Sequence, residues 1–408
     1  MPRPAAGNQK LRGARLAAGY RSQQDLIDAL AVRGGAVGRR QVSRWESANP
    51  PLPHPEVRNL LVELLGRPLS DLGFDVPAGE APRGSSSLLP PPNRGPIRTS
   101  IPLQPPTVAV DYASVTRSHR QMYWTVGPST LHPAVSAHAT LGAQLLGATV
   151  GRARQTLAAA LAESWLLAGR IEFFDLREPA PAADTWVRAL QAAGEADDAL
   201  LGAAILAHLA FIPGWSGNHE ASNERMTAAR AHARRGPASA EFLAWLDAVE
   251  AECEARCGNT RTALNLIAHG EDIIAAGSGH QPPEWMDWFT PTRLAAFKGD
   301  IQLKAGHLPQ ARETLLGALD DLPDGDAKQR SVILGDLAAV EAAAGAPQAA
   351  VAYAMQALGL LETHWYATGL ERIREVRRTL VPWQHEQYVR DLDDRLYGWG
   401  PVVSSLAN

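Results

Sequence analysis

Three arginines, Arg39, Arg40 and Arg44, fall inside one eleven-residue stretch, G-R-R-Q-V-S-R-W-E-S-A over residues 38–48, and they are the side chains of this chain best suited to recognition chemistry. A guanidinium presents a rigid fork of N–H donors that matches guanine O6 and N7 in the major groove, worth roughly 1 to 3 kcal/mol of base discrimination per bidentate contact. Val42 and Trp45 are three residues apart. A helix here buries both on one face and turns Arg39, Arg40, Ser43 and Arg44, with Gln41 among them, toward a partner. The other reading of such a helix is a solvated basic face.

Catalytic chemistry has little to stand on. The sequence holds no G-x-S-x-G elbow, phosphate loop, H-E-x-x-H pair or dinucleotide fingerprint. His132 and His138 are six apart, off a common helical face, and His119 and His208 stand alone. Cys253 and Cys257 are one helical turn apart without further Cys or His beside them, so they read as small packing residues rather than a metal or redox site. Neither an enzyme nor a cofactor or metal is expected.

Helices must position the arginines. A first helix carries Leu11, Arg15 and Leu16, capped by Asn8 and stopped at Gly19. A second starts at Ser22 and buries Leu26, Ile27 and Leu30, ending at Arg33-Gly34-Gly35. The arginine helix follows, then a fourth from Pro55 with Val57, Leu60, Leu61, Leu64 and Leu65 on its apolar face. A fifth, closing element carries Leu69, Leu72 and Phe74.

Ser22-Gln23, then Leu26 and Ala29, then Val42-Ser43-Arg44-Trp45-Glu46 and the closing Leu72-Gly73-Phe74 resemble the Xre-type, phage-repressor-like helix-turn-helix of actinobacterial transcriptional regulators. The resemblance covers residues 8–75. It implies that Arg39, Arg40 and Arg44 read base edges, that Ser22, Gln23 and Ser43 touch phosphate or sugar, and that Arg15 and Glu46 form an ion pair between the first and third helices. The span from Gln23 to Glu46 is longer than in short phage repressors, and Arg21 is inserted before Ser22, which leaves open which of Arg39 and Arg40 takes which register.

Charge is unevenly spread. Residues 1–48 carry nine basic side chains against three acidic ones, whereas the whole chain is formally −4. A basic head on an acidic body concentrates phosphate affinity at one end. With 45% hydrophobic and 20% charged residues, 408 residues can bury more than one core. No secretion signal or uninterrupted apolar span is apparent, so a cytoplasmic protein without a membrane partner is expected. The domains expected are 1–76 (helix-turn-helix), 77–106 (a Pro/Gly/Ser linker) and 107–408 (body).

The body reads as all-α, with helices over 111–124, 133–150 and 152–168 first and alanine- and leucine-rich helices after them. It also repeats. With Gly217, Gly258, Gly306 and Gly345 as loop positions, the residues seven before (Ala210, Ala251, Gly299, Ala338), five after (Ser222, Ala263, Ala311, Ala350) and twelve after (Ala229, Gly270, Ala318, Ala357) are all small. This pattern resembles tetratricopeptide repeats, although the glycines are 41, 48 and 39 residues apart where about 34 is usual. The fold class expected is all-α, a five-helix helix-turn-helix domain joined by the linker to a tetratricopeptide-like solenoid. Trp215, Trp285, Asp287, Trp288 and Phe289 are candidates for a ligand groove, because the segment 277–291 interrupts the repeat with rings beside carboxylates; the same rings could simply plug a long loop.

Two function classes follow. One is a homodimeric, sequence-specific regulator that binds an inverted-repeat operator in double-stranded DNA and whose body senses a small molecule, peptide or protein. The other is a solenoid for protein–protein contacts whose helix-turn-helix has left DNA. The arginines favour the first. The architecture also resembles Gram-positive peptide-pheromone regulators, but the body is poor in the asparagines that such receptors use on peptide backbone, which ranks a peptide below a metabolite or protein effector.

Overall fold

The computed structural model describes residues 7–74 and 103–406. These are all-helical, with 18 helices and no strand among them. The chain divides into two compact units, Met1–Arg98 and Thr99–Asn408.

The first unit packs α1 (Gln9–Ala17), α2 (Gln23–Val32), α3 (Arg39–Trp45) and α4 (Pro55–Leu65) around one small core. Leu11, Leu26, Leu30, Val42, Trp45, Leu61 and Leu72 are almost wholly buried there, and Trp45 meets Phe74 edge to face with centroids 6.4 Å apart. The start of α1 is tied to distant chain: Asn8 Oδ1 caps Leu11 N, while its Nδ2 donates to Trp45 O at 3.1 Å and Leu72 O at 2.9 Å. Ser22 and Asp25 cap α2 reciprocally. A fifth helix does not form. Residues 68–73 instead make consecutive turns, with Gly73 at φ 81°, because a proline, a left-handed glycine and the Asn8 tether leave no room for a helical run. Of the expected linker, 77–102 lies outside the described residues; at its end Gln104 N already donates to Ala148 O at 2.8 Å, so residues 103–106 belong to the body.

The body runs α5 (Thr107–Met122), α6 (Pro128–Leu146), α7 (Gly151–Arg170), α8 (Pro179–Ala196), α9 (Ala199–Trp215), α10 (His219–Ala233), α11 (Ala240–Arg256), α12 (Thr260–Ala276), α13 (Pro291–Lys304), α14 (Leu308–Asp320), α15 (Ala327–Ala343), α16 (Pro347–Leu361), α17 (Ala367–Thr379) and α18 (Gln387–Leu406). The three helices opening the body thus start and stop earlier or later than their periodicity alone suggests. From α7 on, each helix pairs with the next as a hairpin, and α7, α9, α11, α13, α15 and α17 also pack on one another in succession. These odd-numbered helices form an inner layer. Accordingly α9, α11 and α15 are buried nearly all round, while α12 and α14 bury a single stripe.

Four of the hairpins turn in the same way. Gly217, Gly258, Gly306 and Gly345 have φ of 77–89°, and the residue after each donates its backbone N–H to a carbonyl five residues back, as Asn218 does to Pro213 O at 2.8 Å. This is the Schellman cap, which needs a left-handed residue at that place. The twelve small residues at the fixed offsets are all buried, so the repeat read from the sequence corresponds to four copies of one hairpin.

Between α7 and α8 the chain departs from this rule. Residues Ile171–Asp175 form a π-helical turn, and Arg177 follows with a left-handed φ of 62°. Carbonyls released by the turn are taken by the far end of the body: Trp365 Nε1 donates to Asp175 O at 3.0 Å and Thr368 Oγ1 to Phe174 O at 3.0 Å. The inner layer therefore curls until α17 meets the segment after α7.

Packing is very close at Gly169 of α7, where a Cβ would lie 2.3 Å from Trp186 Nε1. Trp186 is fully buried and its Nε1 is donated to Leu166 O at 3.2 Å. Replacing a helical glycine by alanine ordinarily gains up to about 1 kcal/mol, but here overpacking of about 1 to 3 kcal/mol decides the sign. Gly169→Ala is expected to lower the urea midpoint of the full chain followed by helical circular dichroism; an equal or higher midpoint would show that Trp186 yields without cost.

Candidate functional site

On α3 the apolar pair is buried, as its spacing requires, and Arg39, Arg40, Gln41, Ser43 and Arg44 are exposed. None of the three arginines forms an ion pair or side-chain hydrogen bond among the described residues. Their charge is therefore not consumed inside the unit. Ser22 is exposed too, and its hydroxyl and backbone N–H both engage Asp25.

Glu46, directly after α3, holds the helix in place. One carboxylate oxygen accepts from Arg15 Nε at 2.7 Å and the other from Gln23 Nε2 at 2.8 Å; Arg15 also reaches Tyr20 O at 2.8 Å. One carboxylate thus joins the end of α1, the start of α2 and the end of α3. Gln23 departs here from its expected place on phosphate: it is half-buried and committed to Glu46, which was not legible from its position at the start of a helix. Because Arg15 and Glu46 side chains are only 5% and 11% exposed, truncating one strands the other, at about 3 to 5 kcal/mol for a buried pair. Glu46→Ala is expected to melt the first unit well before the body in a thermal scan; a first unit with unchanged melting would show that the pair carries no such load.

The body holds a second candidate site, a half-open cavity of about 110 Å³ lined by the inner helices. Its walls alternate rings and charges. Phe174, Phe211, Trp245 and Trp288 supply apolar faces, while Arg170, Arg293, Lys328 and Arg372 approach from α7, α13, α15 and α17. Several cations lie over rings: Arg170 is 4.6 Å from the Trp288 centroid, Arg293 4.5 Å from Trp124, and Lys328 Nζ 3.8 Å from Tyr123. Such contacts strengthen where water is excluded.

Most of these charges already have mates. Lys328 Nζ is 2.6 Å from Asp175 Oδ1, and Asp175 Oδ2 accepts from Tyr123 Oη at 3.0 Å. Arg372 lies between Asp300 and Asp336, 3.3 Å from each. Burial drives the Asp336 carboxyl up, opposed by Arg372 and reinforced by Asp300; for Asp300 burial acts the same way, but Arg372 and Lys304 override it and hold its carboxyl below the ordinary range. Glu252 takes Arg256 Nε at 3.2 Å. Arg293 pairs with Asp326 at 3.1 Å. Arg170 differs: its side chain forms no ion pair or hydrogen bond among the described residues, and its Nε is buried without an acceptor.

Of the groove residues expected from sequence, Trp215 and Trp288 line this cavity. Trp285, Asp287 and Phe289 do not. Trp285 packs edge to face on Phe242, Phe289 is buried edge-on to Trp288, and Asp287 is exposed, because the short 3-10 turn Glu284–Met286 points successive side chains in different directions. The cavity's charged residues went unread in the sequence, being spread over two hundred residues with no local pattern. Of the lone histidines, His132 engages Glu172 at 2.8 Å, His138 stacks on Tyr112 and meets His119 edge-on, and His208 lines the cavity, its Nδ1 donating to Ala204 O at 2.8 Å. Cys253 and Cys257 point their thiols at Ala210 O and Gly214 O across the α9–α11 contact. Comparison with protein-family models and with curated proteins found no match. Among the described residues no helix is long and apolar enough to cross a membrane.

Burial drives His208 down to about 3, helped by the Arg170 charge, and drives His138 down to about 4. Between about pH 6.5 and these values the unfolded chain holds protons that the folded body does not. The stability is therefore fully present above pH 6.5 and is lost as pH falls, by up to about 1.4 kcal/mol per pH unit and group. Urea unfolding of the full chain between pH 6 and 4.5 should show a steeper loss than His208→Gln shows; equal slopes would mean that His208 titrates normally.

Proposed function

We propose that this chain is a sequence-specific DNA-binding transcriptional regulator: the first unit acts as a helix-turn-helix of the Xre type with α3 as its reading helix, and the body acts as a tetratricopeptide-like solenoid that dimerises and takes an effector. The observation that carries the reading is the state of α3. Arg39, Arg40 and Arg44 are exposed and unpaired on a helix whose other face is locked into the core by Val42 and Trp45, and whose end is fixed by Glu46. Three unpaired like charges on seven residues repel one another in the free protein and are relieved on a polyanion. A unit kept only for protein contacts has no use for them.

The reading implies a dimer as well. One unit of this size covers a half-site, and a symmetric pair covers two half-sites about 34 Å apart or a multiple of that. An effector in the body then acts by favouring one arrangement of the dimer, which requires a difference in its affinity for the two.

Selection of bound duplexes from a random pool by the full chain should enrich an inverted repeat. On that operator, alanine at Arg39, Arg40 or Arg44 should each cost about 1 to 3 kcal/mol, whereas loss of a phosphate contact weakens all sequences alike. A pool that yields no enriched sequence, or three variants with unchanged operator affinity, would overturn the reading.

A further inference from the structure

We propose that the cavity of the body binds a small carboxylate carried on a single aromatic ring, its carboxylate against the edge of Arg170 and its ring among the aromatic walls. As the identity of an effector this rests on the regulator reading; as a binding site it stands on the cavity alone.

The chemistry of the walls selects the charge. Glu252, Asp300 and Asp336 each have a cationic partner, and Arg293, Lys328 and Arg372 each have an anionic one. Arg170 is the cation on the wall without an anion. It is held by rings, with Tyr123 at 4.9 Å and Trp288 at 4.6 Å from its guanidinium carbon. No acceptor among the described residues engages its guanidinium and its Nε is buried without one, so the fork that takes a carboxylate bidentately is unspent. A second donor on the same wall also lacks an acceptor: Trp215 Nε1 is buried and unbonded, its ring covered by Arg256 at 4.0 Å. Arg372 Nε is a third buried donor on this wall without a hydrogen bond, against one bare acceptor, Asp300 Oδ1. The unmet demand is therefore chiefly for acceptors from a ligand, an orphaned buried polar group costing about 1 to 3 kcal/mol. A cationic guest would instead face Arg170 uncompensated.

Size selects the rest. A cavity of about 110 Å³ is several times what one water needs and close to the space that takes a benzene ring in a protein interior. Phe174, Phe211 and Trp288 offer faces and edges to such a ring. Arg170 is also the last residue of α7, and the π-turn that follows carries Phe174 on the cavity wall and Asp175 on the contact to Lys328. A guest that draws on Arg170 therefore acts on the segment that joins the two ends of the inner layer.

The test is calorimetric titration of the full chain, without DNA, with benzoate, benzamide and benzylammonium. Benzoate should bind about tenfold or more tighter than benzamide, the weight of one charge-assisted pair, and benzylammonium should not bind. Arg170→Met should bring benzoate down to the level of benzamide and leave benzamide little changed, with Arg170→Lys between. Should Arg170→Met not fold, the benzoate-to-benzamide ratio on the unaltered chain decides. Equal affinities for the two, or no binding of benzoate in the millimolar range, would overturn the proposal. Benzoate that binds without changing operator affinity supports the site and removes its role as sensor. Failure to bind with operator recognition intact overturns the site and leaves the DNA reading standing.

Discussion

A single carboxylate taken wholly out of water, Asp175, closes the body. Desolvating it costs several kcal/mol, and only an opposite charge with full hydrogen bonding offsets that. Lys328 and Tyr123 supply both, from chain about 150 and 50 residues away. Burial pushes Asp175 up and Lys328 down, and their mutual attraction opposes each shift. The pair is tied to the π-turn, because widening a helix there frees backbone carbonyls that must find donors elsewhere. Trp365 and Thr368 are those donors. This closure brings the two ends of the inner layer together, and the rings and cations of the inner helices face the half-open cavity beside it.

The cavity exists because the rest of the interior is built from small residues. Alanine and glycine at the helix crossings bring backbones close, and large rings then have no room between helices except at chosen points such as Trp186 against Gly169. Several other rings gather at the cavity, with Phe174, Phe211 and Trp215 clustered within 6.0 Å of one another by centroid. The half-open space of about 110 Å³ is thus ringed by aromatics and charges rather than by the small residues of the helix crossings.

What the sequence made legible was local. The first four helices follow from their caps and apolar spacing, and the glycine ruler located four hairpin turns because the left-handed residue of a Schellman cap is usually glycine. The ruler missed the α8–α9 turn, where Asp197 takes the left-handed place at φ 55° and Asp198 N donates to Ala193 O in the same manner. An Asp-Asp pair after a helical run is the signal that could have found it. The Arg15–Glu46 contact was implied by resemblance, but the third member, Gln23, was assigned outward. Nothing local distinguishes a glutamine facing phosphate from one facing a carboxylate. The π-turn and the cavity lay beyond reach for the same reason, since their determinants are contacts across 150 to 190 residues.

Glu46 and Asp175 are one device used in two settings. Each is a carboxylate holding donors from elements distant in sequence, and the difference lies in what surrounds it. Asp175 sits within an interior of some three hundred residues, where many other contacts keep the fold and the pair fixes how the ends meet. Glu46 serves a unit with a dozen core side chains, and a domain of that size buries a smaller share of its surface and is correspondingly marginal. Arg15, Gln23 and Glu46 therefore contribute a larger fraction of the first unit's stability than Lys328 and Asp175 do of the body's. The same clamp sets the angle at which α3 leaves the core, so the placement of Arg39, Arg40 and Arg44 depends on a polar contact that none of them touches.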